Sequence, residues 1–265
     1  MSNFVPIARE QHAARRWQRR ATYAFAAKEA VSSLVLAELP RAVMSLPIAF
    51  IQQDADFFPV AVLGLQPGES LFVAPDGRWI GGYIPALLRG YPFRLARTAE
   101  DRQVLCIDAD SSLITDGPEG EAFFSEAGEP APAVTEILNF LTRIEQNRVQ
   151  TVNACRVLSK HQLIRPWAIT LDTAAGKQEL KGLFQIDEAA LNALSDDAFL
   201  ELSRASALLL SYCQLLSMQH LPILGKLAEA QAKAVSPPAP AKADLDLEFL
   251  NRDGTLHFGN LVYKH

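Results

Sequence analysis

The sequence is poor in cysteine and histidine and has only a small excess of acidic residues. Its 265 residues include 3 cysteines and 5 histidines, and the formal net charge is −5. An odd number of cysteines without C-x-x-C spacing gives no disulfide framework and predicts buried free thiols in a reducing compartment. The histidines show no H-x-x-x-H or H-x-D spacing, so the sequence predicts neither a metal site nor a cofactor. The negative charge argues against a nucleic-acid partner, because phosphates attract clustered lysine and arginine.

Long hydrophobic runs are also missing. The first apolar stretch, Ala21–Ala27, is short and ends at Lys28, which predicts that no signal peptide is present. Ala205–Leu224 is apolar enough to be considered as a membrane span, but Gln214 and Pro222 interrupt it and favour a buried core helix. The sequence therefore predicts a soluble cytoplasmic protein without a transmembrane segment.

One cluster of basic residues lies near the N-terminus and consists of Arg15, Arg16, Arg19 and Arg20. Their spacing predicts that they cover about half of a helix surface. A solvated helix face is the favoured interpretation of this cluster, and a site for an anionic partner is the alternative.

Short strands with turn signals dominate the first part of the chain. Ile48–Gln52 and Pro59–Leu65 are rich in β-branched and aromatic residues and are predicted to pair as a hairpin. Val104–Ile107 predicts a further strand. The stretch Lys28–Ser45 has helical periodicity, and its helix is predicted to end before Pro40, with a further turn after it.

The second half of the chain is typical of helices. Apolar residues recur near a 3.6-residue period over Ala133–His161, and a second long helix is predicted over Asp196–His220. Asp187 and Ser195 are predicted N-caps, and a second hairpin is predicted around Thr173–Gly176. These elements predict an α+β fold in which an antiparallel sheet in the N-terminal half packs with long helices from the C-terminal half.

The composition also divides the chain into regions. Residues 1–231 are predicted to form the main domain, 232–244 a linker rich in proline and alanine, and 245–265 a C-terminal tail. The tail is too apolar for a spacer, which predicts that it docks on its own domain or on a partner; a disordered tail is the alternative. The residues expected to dock are Leu247, Phe249 and Leu250.

Three motifs lie close together after the predicted hairpin. They are L-G-L-x-P-G-E-x-L-F-V at Leu63–Val73, D-G-R-W at Asp76–Trp79 and G-G-Y-I-P-A-x-L-R-x-Y-P-F at Gly81–Phe93. With these motifs the sequence resembles the SapC family, bacterial proteins named for association with a surface-layer locus. The resemblance implies a role beside cell-envelope systems, or systems that modify peptides or small molecules, and it implies no reaction. The family name implies association with the cell surface as an alternative location.

Asp108 and Asp110 are the candidate catalytic residues. They follow the apolar strand Val104–Ile107, where two carboxylates can present oxygen atoms to a divalent cation. The string also resembles the first motif of haloacid-dehalogenase phosphotransferases, but a segment rich in Gly, Glu and Pro stands where that resemblance implies a helix. Turn and cap roles are favoured, and a metal-dependent transferase or phosphatase is the alternative.

A second candidate site follows the D-G-R-W turn. Gly81 and Gly82 precede Tyr83, and Arg89 and Tyr91 come shortly after. Aromatic side chains beside an arginine are typical of binding hot spots, while the filling of a core between sheet and helix is the alternative. The two glycines lack a phosphate-binding motif, and a turn that permits close packing is favoured for them.

These features together predict a non-enzymatic accessory or binding protein with a protein or peptide partner. The alternative is the metal-dependent enzyme built on Asp108 and Asp110. The sequence predicts no particular ligand, partner or oligomeric state.

Overall fold

The computed structural model describes residues 3–98, 102–173 and 176–235. Its strands, in chain order, are β1 Phe4–Pro6, β2 Arg16–Trp17, β3 Val31–Ser33, β4 Ile48–Gln53, β5 Asp56–Val62, β6 Phe93–Arg97, β7 Gln103–Asp108, β8 Ile114–Thr115, β9 Glu121–Ala122, β10 Ile164–Pro166, β11 Ile169–Thr173, β12 Gly176–Leu180 and β13 Phe184–Ile186. Its α-helices are α1 Arg9–His12, α2 Leu39–Ala42, α3 Ala86–Gly90, α4 Pro132–Lys160, α5 Glu188–Asn192, α6 Asp196–Arg204, α7 Ala207–Ser217 and α8 Leu221–Val235. Antiparallel sheets and long helices from the C-terminal half confirm the predicted α+β fold.

The largest sheet has the strand order β10-β13-β4-β5-β3. β4 and β5 form the predicted hairpin, in which Ile48 lies opposite Ala61 and Gln53 lies opposite Asp56. Asp54 takes a φ of 53° in the turn, a left-handed conformation that aspartate tolerates better than most residues. Helices α4 and α7 pack against this sheet. Among the buried residues of the resulting first hydrophobic cluster are Phe50, Leu63, Phe72, Leu158 and Ile186.

A second sheet has the strand order β1-β7-β6, and a small sheet has the order β8-β2-β9. In the small sheet, Trp17 lies opposite Ile114 and Glu121. The ring of Trp17 meets Phe93 of β6 edge-on, with ring centroids 4.8 Å apart. The buried residues of the second hydrophobic cluster are Trp17, Phe93, Ile107, Phe123, Ala131, Val134 and Leu141.

The long helix α4 contributes to both clusters. Val134 and Leu141 belong to the second cluster, whereas Cys155 and Leu158 belong to the first. The helix predicted over Ala133–His161 is therefore confirmed, with bounds that shift by a single residue at each end. Its apolar period reflects burial near both ends, where the N-terminal part packs in the second cluster and the C-terminal part in the first.

The helix predicted within Lys28–Ser45 is wrong. β3 pairs with β5 in this stretch, and a 3-10 helix over Leu36–Glu38 leads into α2. Pro40 lies in the first turn of α2, where a missing N–H costs no hydrogen bond. Proline therefore helps to begin a helix here and does not end one.

Two further helical predictions are wrong. The helix predicted over Asp196–His220 is split into α6 and α7, because Ser206 takes a φ of 58° and a left-handed residue cannot continue a right-handed helix. The basic cluster Arg15–Arg20 does not form a helix face. Arg16 instead lies in β2, opposite Thr115 and Ala122.

Two predicted N-caps are confirmed. The Asp187 side chain accepts a hydrogen bond from Ala190 N at 3.1 Å, and the Ser195 side chain accepts one from Ala198 N at 3.4 Å. The second predicted hairpin is present as β11 and β12, although β13 is a separate strand that pairs with β10 and β4. Two residues of the hairpin turn, 174 and 175, lie outside the described residues.

The cysteines Cys106, Cys155 and Cys213 are buried and free, as predicted. Burial raises the pKa of Cys155 to about 12, and it also raises the pKa of Cys106 and of Cys213. These thiols remain protonated at neutral pH, which suits packing and not nucleophilic chemistry.

One helical stretch in the described part of the chain, Ala207–Ala232, is long and apolar enough to cross a membrane, and 39% of its most apolar window is buried. In α7, however, two polar side chains are fully buried against the sheet. Gln214 accepts a hydrogen bond from Ile186 N at 2.9 Å, and Ser217 accepts one from Ile48 N at 2.9 Å. These bonds favour the interpretation of α7 as a core helix that satisfies backbone N–H groups at the start of β4 and the end of β13.

Helix α8 continues to Val235, so the first residues of the predicted linker are helical. The remainder of that linker lies outside the described residues. The same holds for the predicted docking residues Leu247, Phe249 and Leu250.

Candidate functional site

Glu38 organises the segment that carries the predicted binding residues. It ends the 3-10 helix before α2 and is only 3% exposed. Its Oε1 atom accepts hydrogen bonds from the Tyr83 hydroxyl at 2.9 Å and from Ala86 N at 2.6 Å, and its Oε2 atom accepts one from Val35 N at 3.1 Å. One buried carboxyl group therefore fixes the start of α3 and the tyrosine that precedes it.

Tyr83 and Arg89 are brought together by this arrangement. Arg89 Nη2 donates to the Tyr83 hydroxyl oxygen at 3.2 Å, and Arg89 Nε donates to the carbonyl oxygen of Ile84 at 3.1 Å. The guanidinium also lies 5.2 Å from the ring centroid of Phe140 on α4. Both Tyr83 and Arg89 are half-buried, so they are held in place and still reach the surface.

Burial raises the pKa values of Glu38 and Tyr83. Desolvation raises the pKa of Glu38 above its usual value, although its three hydrogen-bond donors and the charge of Arg89 oppose the shift. Burial, together with the negative charge of Glu38, raises the pKa of Tyr83 to about 12. The Tyr83 hydroxyl therefore stays protonated at neutral pH and remains a donor to Glu38.

Tyr91 is held by different partners. Its ring stacks on Phe25 with centroids 3.9 Å apart and an interplanar angle of 9°. Its hydroxyl donates to Asp108 Oδ2 at 3.2 Å. Tyr91 is half-buried. The predicted binding residue Tyr91 and the candidate catalytic residue Asp108 are therefore hydrogen-bonded to each other.

Arg89 and Tyr91 line a pocket of about 340 Å³, named here the arginine pocket. Its other walls come from parts of the chain that lie far away in sequence, namely β2, the loop after it and α4. Its aromatic and arginine residues include Trp17, Arg20, Tyr23, Arg89, Tyr91 and Phe140. The predicted residues Gly81, Gly82 and Tyr83 are not among its lining residues.

The basic cluster near the N-terminus divides between surface ion pairs and this pocket. Arg15 pairs with Asp116 and Arg19 pairs with Glu121. Arg20 instead donates from Nη1 to the carbonyl oxygen of Arg89. The cluster is therefore not a simple solvated face, because Arg19 and Arg20 both line the arginine pocket.

A family model described as SapC matches residues 7–224 of the chain. The chain belongs to the SapC family. The matched range includes all of the sequence motifs at Leu63–Phe93 and every residue named above as lining the arginine pocket. Searches of curated proteins and of solved structures give no match.

The two glycines of the SapC motif serve close packing in this structure. A Cβ atom on Gly81 would lie 2.8 Å from Trp79 Nε1 and 2.9 Å from a ring carbon of Phe72. Trp79 Nε1 in turn donates to the carbonyl oxygen of Tyr83 at 2.9 Å. A Cβ atom on Gly82 would lie 3.0 Å from the Cβ atom of Ser45. These contacts favour a turn that permits close packing, as the sequence predicts, and not a phosphate-binding loop.

Asp108, the last residue of β7, and Asp110 beyond it have the environment of a turn. Asp108 is 5% exposed, and besides Tyr91 its carboxylate accepts hydrogen bonds from Asn3 N at 3.1 Å and Asp110 N at 3.4 Å. Asp110 itself is exposed. Within the described residues, no group of three or more His, Cys, Asp or Glu side chains is placed to hold a metal ion. The geometry favours a structural role for Asp108.

We expect divalent cations to leave the thermal stability of the protein unchanged. The oxygen atoms of Asp108 already accept three hydrogen bonds, and a cation would have to replace those donors. The measurement is the melting temperature of the wild-type chain and of Asp108→Asn with Mg²⁺, Mn²⁺ or Zn²⁺. A cation-dependent rise that is present in the wild type and absent in the variant would support the metal-dependent enzyme instead.

Proposed function

We propose that this chain is a non-enzymatic accessory protein of the SapC family that binds a protein or peptide partner. The partner is expected to belong to a cell-envelope system, or to a system that modifies peptides or small molecules, and the place of action is the cytoplasm. The observation that carries the proposal is the fixed arrangement of Tyr83, Arg89 and Tyr91 at the surface. Each side chain is half-buried; Tyr83 is held by the buried Glu38, Arg89 by Tyr83 and the carbonyl oxygen of Ile84, and Tyr91 by its stacking on Phe25.

Exposed apolar side chains in the same segment support a macromolecular partner. Ile80 is 45% exposed and Leu87 is 44% exposed, and they stand on either side of Tyr83 in the sequence. Apolar side chains that surround ordered aromatic and arginine residues are the composition of protein-binding surfaces. Because the segment is already ordered by Glu38, little conformational entropy would be lost on binding.

The alternative enzyme receives less support from the same region. The arginine pocket contains no carboxylate, thiol or histidine among its lining residues, so the commonest general bases are missing from the described part of the pocket. Asp108 and Asp110 do not line it. A binding function needs only the residues that are present.

A pull-down from native cells with matched variants tests the proposal. Leu87→Glu places a charge on the proposed surface, and we expect it to reduce recovery of a specific partner by about tenfold, since a buried charge at an interface is costly. Leu200→Glu is the control, because Leu200 on α6 is 46% exposed and lies outside the segment. Partners are quantified by mass spectrometry.

Two results would contradict the proposal. One is a partner set that Leu87→Glu leaves unchanged, and the other is equal loss with both variants. Fractionation of the same cells tests the location, where recovery of the chain with the surface layer would contradict a cytoplasmic site of action.

A further inference from the structure

The arginine pocket has positive charges that are not paired. Arg19 at its edge is neutralised by Glu121. Neither Arg20 nor Arg89 forms an ion pair with a carboxylate in the ranges that the structure describes. Glu38 is separated from Arg89 by the Tyr83 hydroxyl, which is hydrogen-bonded to both. The pocket therefore presents two guanidinium groups whose charge favours an anion.

Two buried donors at this pocket also lack acceptors. Trp17 Nε1 and Arg20 Nε are buried and have no hydrogen-bond partner in the described part of the protein. Trp17 is only 3% exposed. Buried donors are nearly always paired in folded proteins, and an unpaired one requires an explanation such as a bound group. Both of these donors belong to residues that line the same pocket.

Aromatic rings hold the arginines and form much of the remaining wall of the pocket. The guanidinium of Arg20 lies 5.3 Å from the ring centroid of Tyr23, and that of Arg89 lies 5.2 Å from the ring centroid of Phe140. Tyr91 is fixed by its stacking on Phe25. Arginines held against rings lose little freedom when they bind an anion, and the flat walls suit a flat apolar group.

We propose that the arginine pocket binds an organic anion, a carboxylate joined to an aromatic body. This inference rests on the proposed binding function and specifies the chemical class of what is bound. The carboxylate accepts hydrogen bonds from the guanidinium groups of Arg20 and Arg89, which are half-buried, and it lies beside the indole of Trp17. The aromatic body packs against Tyr23 and Phe140. A volume of about 340 Å³ is at the small end of the range for such sites.

This chemistry has two possible sources. One is a free aromatic acid of low molecular weight, and the other is the terminal carboxylate of a peptide chain that ends in an aromatic residue. Both present a carboxylate next to an aromatic ring. The probes are therefore 3-phenylpropionate for the free acid and the tripeptide Gly-Gly-Phe for the chain terminus, each compared with its neutral amide.

Binding is measured by NMR and calorimetry on the full chain. The chain has 3 tryptophans, so the indole N–H signal of Trp17 can be assigned by substitution and followed separately from those of Trp79 and Trp167. We expect the acids to move the Trp17 signal while the amides do not. Higher salt is expected to weaken binding of the acids, because the attraction between charges is screened.

Arg20→Gln is expected to weaken binding of the acids about tenfold, because one charge-assisted hydrogen bond is lost. Arg94→Gln is the matched control, because Arg94 is exposed, lies 5.6 Å from the ring centroid of Phe4 and is not part of the pocket. Arg20→Lys keeps the charge but loses the planar donor, and it is expected to bind with intermediate affinity. The wild-type comparison of acid with amide remains decisive if Arg20→Gln does not fold.

The outcomes separate this inference from the proposed function. Tighter binding of the tripeptide identifies a chain terminus as the source, and equal or tighter binding of 3-phenylpropionate identifies a small molecule. The inference is overturned if neither acid moves the Trp17 signal, if the amides bind as well as the acids, or if Arg20→Gln binds like the wild type. Loss of the partner in Leu87→Glu would stand in each of those cases, because that variant tests the surface and not the pocket.

Discussion

Glu38→Ala is expected to lower the free energy of unfolding by about 3 kcal/mol. The substitution leaves three donors without their acceptor, namely the buried N–H groups of Val35 and Ala86 and the half-buried hydroxyl of Tyr83, and each buried group costs about 1–3 kcal/mol. The substitution also removes the free-energy cost of burying the carboxyl group, and this gain offsets part of the loss. Chemical denaturation measures the change, and the exposed Glu29→Ala is the control, with an expected change below about 0.5 kcal/mol.

The pH dependence of Glu38→Gln separates the charge of Glu38 from its hydrogen bonds. Because burial raises the pKa of Glu38, the folded chain holds this proton more tightly than the unfolded chain. Its contribution to stability is therefore complete below its unfolded pKa and is lost as pH rises through its folded pKa. We expect the stability of the wild type relative to Glu38→Gln to fall as the pH rises above the usual pKa of a glutamate. A relative stability that rises over this range would contradict the raised pKa.

Gly64→Ala is expected to destabilise the protein by about 3 kcal/mol, which is at the upper end for overpacking. A Cβ atom on this buried glycine would lie 2.0 Å from the backbone carbonyl oxygen of Glu69 and 3.4 Å from the Cα atom of Ala30. Backbone atoms cannot move aside as a flexible side chain can, so the segment after β5 would have to shift. Because Gly64 also donates to the carbonyl oxygen of Ala30 at 3.0 Å, that shift would strain a hydrogen bond.

Gly117→Ala is the control for this prediction. A Cβ atom on Gly117 meets nothing within 4 Å, so the substitution adds no contact in the folded state. We expect its melting temperature to match that of the wild type or to rise slightly, because alanine restricts the unfolded chain more than glycine does. Equal melting temperatures for Gly64→Ala and Gly117→Ala would show that the close approach at Gly64 is relieved at little cost.

The parts of the fold that sequence analysis predicted well depend on local signals. The period of α4, the side-chain caps at Asp187 and Ser195, and the β4–β5 hairpin each arise from residues within a few positions of one another. Such local preferences persist in the folded protein when the same conformation also buries the apolar side chains. In α4 the two agree, because the N-terminal part of the helix packs in the second hydrophobic cluster and the C-terminal part packs in the first.

The failures arise where tertiary packing overrides a local pattern. The stretch before β4 has helical periodicity, but pairing of β3 with the edge of β5 satisfies its backbone instead. The left-handed Ser206 between α6 and α7 has no glycine or asparagine to announce it, because serine rarely takes that conformation. Neither feature could be predicted from the neighbouring residues.

The candidate site was predicted only in part for the same reason. Arg89 and Tyr91 can be singled out from the sequence as candidates because they lie in one segment with other aromatic residues, and their binding role stays a prediction. Trp17, Tyr23 and Phe140 were missed as pocket residues, because only the tertiary fold brings them to Arg89. Glu38 was missed too, since nothing near it in the sequence indicates that its partners are Tyr83 and Ala86.

Helix α3 spans only five residues, yet it faces two ways. Leu87 points to solvent on the proposed partner surface, and Arg89 lines the arginine pocket. A rigid turn of this size cannot shift at one of these positions and stay still at the other. If occupancy of the pocket shifts α3, attachment of a partner is linked to it. The factor by which the anion changes the affinity for the partner then equals the factor by which the partner changes the affinity for the anion.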